Sequence, residues 1–395
     1  MWFKDATVYL AGQFHQNISF LVEEGKFKKV QLNTPVDLPS SAISLDGKYV
    51  IPGFIDQHIH GSVGCDFMDG EVENNHRIAE YLPSIGVTSF LATTLTEEPT
   101  VIAKALVALE EAFFKAEYDE AVKGAHCLGV HLEGPFISPL KKGAHVQQWI
   151  KTPNVETYES LVGTHHLPIK IVTLAPECDD SHSLIRHLQK NDVIPSVGHS
   201  QATYGEMQEA VENGVKCVTH CFNAMSSVTA RDGGVLGAAL GLTGLYGEII
   251  ADGIHVSPEN ISMFHKMKHA DDKILISDAM RARGAKTGNV KLGGLEAYYD
   301  GSKVVLPDGT LAGSALKPFD AITHYAKVVG DTLESILPML TVNPARLLKV
   351  EGSKGQIAEG FDADFLILDQ NYQLLMTVCR GIICYRREDE KDNSK

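Results

Sequence analysis

His58 and His60 stand two residues apart in FIDQHIHG, while Glu133, His199, His220 and Asp278 each close a later apolar run, in LGVHLEG, VIPSVGH, CVTHCFN and KILISDAM. Imidazole and carboxylate are the side chains that hold zinc and its first-row neighbours. Alternation along a strand turns residues i and i+2 to one face, so both imidazoles of the HxH pair can reach one ion. The pair alone is weak evidence, because two histidines packed in a loop read the same way. Its weight comes from company. Thr94 (VTSFLATT), Glu177 (IKIVTLAPE) and His255 (GEIIADGIH) end three more runs, so eight strand-like runs in series carry polar chemistry at their C-terminal ends. In a (β/α)8 barrel those ends meet at one mouth, where such enzymes build their sites.

Each residue also has a structural reading. His131 shares a strand face with Glu133, and either could be the ligand. A carboxylate can bridge two ions through its two oxygens, which favours Glu133 as ligand and His131 as its support. His199 and His220 end consecutive runs, and adjacent parallel strands lie about 4.8 Å apart, so the two can share an ion rather than cap helices. Asp278 could be a helix N-cap. At the end of the last run it could instead take a proton from an attacking water and return it to a leaving amine. Cys221 follows His220 directly, so alternation should turn it into the helix layer as a buried thiol. Lys170 begins its run rather than ending it, so a lysine bridge between two ions is not expected there. GxSxG, P-loop and strand-linked GxGxxG patterns are absent from the sequence.

The elements that must position these residues follow from pattern. Residues 1–51 (ATVYLAG, SFLVEEGKFKKVQL, SAISLDGKYVIPGF) and 351–395 (GQIAEGFDADFLILD, YQLLMTVCRGIICYR) read as short strands with Gly and Asp at hairpin spacing. Between them, over 52–350, apolar runs alternate with helical segments such as NNHRIAEYLPSIG, PTVIAKALVALEEAFFKAEYDEAVKG, YGEMQEAVENG and FDAITHYAKVVG. That alternation predicts an α/β chain: a (β/α)8 TIM-type barrel, with both chain ends pairing into one small β-sandwich. The tail REDEKDNSK carries charge without pattern.

Composition narrows the function. A formal net charge of -15 argues against a general nucleic-acid binder, which needs clustered Lys and Arg, but permits a small phosphorylated ligand. Seven cysteines, an odd number without a CxxC pair, point to a reducing compartment. The start lacks a basic region followed by a long apolar stretch, and the window VLGAALGLTGLYGEIIADGI is broken by glycines, Glu248 and Asp252. Neither a signal peptide nor a membrane span is expected, and the cytoplasm is the default.

The motifs PGFIDQHIHG (52–61), HLEGPF (131–136), KKGAH (141–145), GHSQATY (198–204), THCFNAM (219–225), ADGIHV (251–256), SDAM (277–280), LAGS (311–314), NPA (343–345) and GQIAEGFDAD (355–364) run along nearly the whole chain. Together they resemble the amidohydrolase superfamily, and within it the deacetylases of N-acetylglucosamine 6-phosphate. The resemblance implies a hydrolase of the substrate's acetamide, yielding D-glucosamine 6-phosphate and acetate. It implies a divalent metal, one or two ions per subunit, with Glu133, His199 and His220 as core ligands. His58 and His60 match a pair that varies within the family, and their presence permits a second ion bridged by Glu133 near Asp278. Zinc, iron, manganese and cobalt are not distinguished. Asp278 matches the general base and acid. His145 and His255 match substrate-contacting histidines, and Asn223 with the Ala224 backbone matches a contact to sugar and phosphate. Arg231 matches an arginine that reaches the phosphate from a neighbouring subunit, which implies a homodimer. Cys221 and Ser257 are small departures outside these roles. The galactosamine epimer, another N-acyl or cyclic amide, and a ligand-free scaffold on the same fold are the competing expectations; the scaffold is disfavoured because all six candidate ligands are present.

Overall fold

A computed structural model describes residues 1–33, 38–115, 124–163, 166–179 and 181–388. The eight apolar runs form parallel strands: β1 (Phe54–Ile59), β2 (Val87–Thr94), β3 (His126–Glu133), β4 (Ile169–Leu174), β5 (Ile194–Val197), β6 (Cys217–Val218), β7 (Tyr246–Ile249) and β8 (Lys273–Leu275). Each pairs with the next in sequence. Beyond β8 the ring is drawn together by Ala279, which bridges to Ile59 on one side and to Ser314 on the other. The expected TIM-type barrel is what forms.

Helices on the outside bury one stripe each. In Pro99–Phe113 the buried residues Ile102, Ala105, Leu106, Leu109 and Ala112 recur at three- and four-residue intervals, the period of a helix face. Tyr204–Glu212 starts at a capping box, in which Thr203 and Glu206 satisfy each other's backbone N–H groups. The remainder of the helical segment predicted to reach residue 124 falls partly on 116–123, outside the described residues, as does the tail from 389.

Inside the barrel, chemistry changes along each strand. Ile55, Leu91, Leu128, Ile171, Ile194, Cys217 and Ile274, from seven strands, share one apolar cluster. Two residues further along β4, β5 and just past β6, on the same faces, stand Thr173, Ser196 and Thr219. These hydroxyls form a buried chain: Thr173 to Thr219 at 2.8 Å and Ser196 to Thr219 at 2.6 Å. The barrel interior therefore grades from apolar to polar towards its C-terminal mouth.

The chain ends meet in a single sheet ordered Ile382–Arg386, Leu374–Cys379, Phe365–Leu368, Tyr49–Pro52, Trp2–Leu10, Gln13–Glu23, Lys26–Leu32, with Ile43–Ser44 beside the fifth strand. Phe27 and Phe365 lie four strands apart, about 19 Å in a flat sheet. Their ring centroids are 5.6 Å apart, so the sheet rolls up around Phe3, Phe20, Phe27 and Phe365. The two layers of the expected sandwich are the two halves of this rolled sheet. A three-stranded antiparallel sheet (Gly288–Leu292, Leu295–Tyr299, Val304–Val305) follows β8 and was not foreseen.

Candidate metal and catalytic centre

Glu133, the last residue of β3, is the hub of the mouth. Its Oε1 lies 3.1 Å from His199 Nε2 and 2.9 Å from His220 Nε2, and those two nitrogens are 3.0 Å apart. Its Oε2 faces the other side, 3.2 Å from His60 Nε2 and 3.5 Å from His58 Nε2. Asp278 Oδ1 closes that side, 3.1 Å from His60 and 3.5 Å from His58. Four predicted histidine ligands thus converge on the Glu133 carboxylate, sorted by its two oxygens, and Asp278 joins them through His58 and His60.

The backbone makes this possible by stopping its strands abruptly. His199, His220 and Asp278 adopt φ of 49°, 32° and 48°, the left-handed region that non-glycine residues seldom occupy. Such outliers cluster at functional sites because the surrounding structure must enforce them. Here Asp278 is pinned by its own N–H to His58 O (2.9 Å) and by Ser314 N–H to its carbonyl (2.7 Å).

Hydrogen bonds also set which nitrogen of each ring is free. His199 Nδ1 is 2.9 Å from the Lys141 carbonyl, which can only accept, so Nδ1 carries the hydrogen and Nε2 presents a lone pair to the site. His145 shows the opposite tautomer. The Thr96 backbone N–H donates to its Nδ1 at 3.2 Å, so the hydrogen sits on Nε2, which faces Glu133 Oε2 at 3.8 Å. Burial, and next His199, keep the His145 pKa well below its ordinary value, so this ring is a neutral N–H donor. His131 lies beneath the cluster, 2.7 Å from Thr173 Oγ1 and 3.3 Å from the Gln57 carbonyl. Its pKa is pushed down to about 3, by burial above all. Its ring centroid is 4.6 Å from that of His58.

Burial penalises charge on Glu133, Asp278, His58 and His60, yet these four hold each other ionised. For Glu133, burial is opposed by His58, His199 and His220, and its pKa falls well below the carboxylate range. Asp278 is likewise held at about 2 by His58 and His60 against burial. His60 is pushed up to about 9, where Asp278 and Glu133 overcome burial. Buried imidazole nitrogens packed round shared carboxylate oxygens form the donor set of a divalent cation, and His58 Nε2 has no hydrogen-bond partner among the described residues. The residues present fit such an ion.

A cavity of about 370 Å³ opens over the cluster. His60, Glu133, His145, His199, His220, Asn223, Ala224, His255 and Asp278 line it, with Leu95, Leu140, Leu292 and Leu311 as apolar wall. Asn223 directs its amide towards the carbonyls of His220 and Cys221, at 3.4 Å each. His255 lies six residues past β7, in a loop rather than at a strand end. Asp252 holds it there, with Oδ2 2.7 Å from Nδ1 and Oδ1 accepting the backbone N–H of His255 and Ile254. Thr94 and Glu177 do not join the cavity lining among the described residues. Glu177 instead accepts from Ser200 Oγ and Gln201 N–H, bracing the loop after His199. Arg231 is exposed and lines no part of its own chain's cavity among the described residues. Cys221 turns into the helix layer, as alternation requires, and a Cβ placed on Gly247 would meet its sulfur at 3.2 Å.

One buried carboxylate escaped the sequence reading. Glu248, on β7, lies 3.2 Å from His58 Nδ1 and accepts from Gln57 Nε2 at 2.7 Å. Its only sequence signal is a charge inside the otherwise apolar run YGEII.

Comparison with known proteins agrees with this geometry. The chain is 37% identical to an N-acetylglucosamine-6-phosphate deacetylase of Bacillus subtilis over 97% of its own length and 96% of that protein's. A deacetylase of the same name from Thermotoga maritima has a solved structure that matches with a TM-score of 0.87 at 32% identity, covering 98% of this chain and 100% of that one. A Mycobacterium smegmatis N-acetyl-D-glucosamine-6-phosphate deacetylase, solved in complex with N-acetyl-D-glucosamine-6-phosphate, matches with a TM-score of 0.87 at 25% identity over 97% of this chain and 99% of that one. Residues 49–384 match the amidohydrolase family model, and the chain belongs to the amidohydrolase family.

Proposed function

We propose that this chain hydrolyses the acetamide of N-acetyl-D-glucosamine 6-phosphate, releasing acetate and D-glucosamine 6-phosphate. The observation that carries the reading is the Glu133 hub, whose two oxygens each face a pair of imidazoles beside a cavity of sugar-phosphate size. The deacetylases named above supply the substrate class. Oε1 with His199 and His220 would hold one ion; Oε2 with His58, His60 and Asp278 would hold a second. When bound, a divalent cation supplies Lewis acidity at a carbonyl oxygen and a water acidified to a pKa of about 7.

The chain's own groups do the rest. Asp278, ionised at neutral pH, accepts a proton at its carboxylate from the attacking water and delivers it to the leaving nitrogen. His145 donates its Nε2–H to the acetamide oxygen as negative charge develops there. His255, held by Asp252, meets the sugar. Asn223 and the Ala224 backbone hold sugar and phosphate, binding energy remote from the reacting carbon that positions it. Arg231, exposed on its own chain, would reach the phosphate bound by a second copy, making the working unit a homodimer. We assign residues 52–350 to the barrel and 1–51 with 351–395 to the terminal unit. A cytoplasmic setting accords with the seven free cysteines and with the lack of any described helix long and apolar enough to cross a membrane.

Acetate release from N-acetylglucosamine 6-phosphate tests this, with the unphosphorylated sugar and the galactosamine epimer alongside, after metal removal and with zinc, iron, manganese or cobalt restored singly. Metal-restored, phosphate-dependent release is expected. Silence on all three substrates in the metal-loaded protein would discard the sugar-phosphate assignment.

A further inference from the structure

Glu248 is completely buried in the barrel, and nothing in the proposed reaction uses it. A carboxylate in such a place is costly unless its oxygens are partnered. Oε1 accepts from Gln57 Nε2 at 2.7 Å; Oε2 accepts from His58 Nδ1 at 3.2 Å and from the His220 backbone N–H at 3.3 Å. One side chain on β7 therefore touches a histidine from each side of the Glu133 hub. An ionised carboxylate only accepts, so its bond to His58 places the ring hydrogen on Nδ1. When a bound ion displaces the ring's other proton, the lone pair is on Nε2, the atom 3.5 Å from both Glu133 Oε2 and Asp278 Oδ1. Without that acceptor, the hydrogen could equally occupy Nε2, and the ring would present an N–H where a donor lone pair is needed. The ring could also turn towards His131, whose centroid is 4.6 Å away.

We propose that Glu248 is a positioning residue of the centre: it fixes the tautomer and orientation of His58 and ties that ring to the backbone carrying His220. The proposal rests on the reading that the cluster holds a divalent ion. A carboxylate behind a ligating histidine strengthens its hold on metal, and losing such a partner costs about 10- to 100-fold in affinity.

The test is made on the full-length apoprotein with cobalt(II) as probe, its affinity measured by chelator competition and its site read by visible absorption. Wild type, Glu248→Ala, Glu248→Gln and Gln57→Ala are compared, with metal-free melting and far-ultraviolet circular dichroism recorded for each. Glu248→Ala should bind cobalt about 10- to 100-fold more weakly with an altered spectrum, and Glu248→Gln should recover part of the loss. Gln57→Ala, which leaves the His58 contact in place, should stay within about threefold of wild type. A folded Glu248→Ala with wild-type affinity and spectrum would overturn the proposal. Equal losses in Glu248→Ala and Gln57→Ala would overturn it too, since that is the mark of a packing role. Should Glu248→Ala fail to fold, the near-isosteric Glu248→Gln decides by the same measure. Failure of the wild type to bind cobalt would instead remove the metal reading itself, and this proposal with it.

Discussion

Lys354, in the turns before the Phe365–Leu368 strand, and Glu133 in the barrel mouth are both buried charges, but their surroundings are completed differently. Lys354 Nζ lies 2.6 Å from Asp364 and 3.0 Å from Asp362, and Asp362 takes Lys26 at 2.9 Å. Two permanent cations meet two carboxylates, and Asp364 also accepts the Arg380 backbone N–H at 2.7 Å. That cluster is saturated from within. Glu133 and Asp278 face imidazoles instead, and at His199 the inward nitrogen carries a lone pair rather than a hydrogen. The positive charge there rests on imidazoles, His60 among them, whose protons a bound cation displaces. Burial of charge alone therefore does not mark a site. What marks it is a buried cluster of imidazoles and carboxylates whose metal-binding atoms converge on one point.

The largest effect should come from breaking the mouth's proton path. Asp278→Asn should lower turnover by about 10²- to 10⁴-fold with the ion at His199 and His220 retained, checked by acetate release and metal analysis of one preparation. Near-normal turnover would remove Asp278 from the reaction. In the saturated cluster the cost should fall on stability instead. Lys354→Met leaves buried Asp364 without its cation and Asp362 with Lys26 alone, and should destabilise the fold by about 3–5 kcal/mol, read as a lower urea midpoint, with activity per folded molecule preserved.

The pH dependence of that difference sharpens the contrast. The folded pKa of Asp362 is lowered from 3.8, burial being outweighed by Lys354 and Lys26, so its contribution is complete above 3.8 and lost as pH falls through the folded value. The folded pKa of Lys354 is raised from 10.5, where Asp364 and Asp362 overcome burial; its contribution is complete below 10.5 and lost as pH rises through the folded value. The stability these two groups confer on the wild type should be flat from about pH 4 to about pH 10 and decline outside it. Loss of that contribution between pH 5 and 9 would contradict this assignment. The smallest signal should come from Cys221, whose thiol burial pushes up to about 12. It should resist thiol reagents in the folded enzyme, and Cys221→Ala should leave metal content unchanged.

The six-residue cluster was legible because a strand's two-residue alternation and a barrel's common mouth are both local rules. What lay outside such rules was missed. His255 was read as a strand end, but the β7 ladder stops at Ile249 and the Asp252 turn carries the ring back to the cavity. Glu248 was seen only as a charge interrupting an apolar window, because its acceptors' partners, Gln57 and His58, lie about 190 residues earlier. Hairpin spacing gave the terminal strands but not the roll of their sheet, which depends on aromatic packing between both ends of the chain. Arg231 is exposed on its own chain, so its expected role depends on a second copy.

The terminal sheet also dictates an order of events during synthesis. Phe365–Leu368 pairs directly with Tyr49–Pro52, so an N-terminal strand waits for a neighbour made about 300 residues later. At about 5–20 residues per second, that interval lasts roughly 15–60 s on the ribosome. Throughout it, one edge of Tyr49–Pro52 and the faces of Phe3, Phe20 and Phe27 lack the Phe365 strand that covers them in the finished protein. The nascent chain therefore carries an adhesive strand edge for most of its translation, the period in which a chaperone would have most to shield.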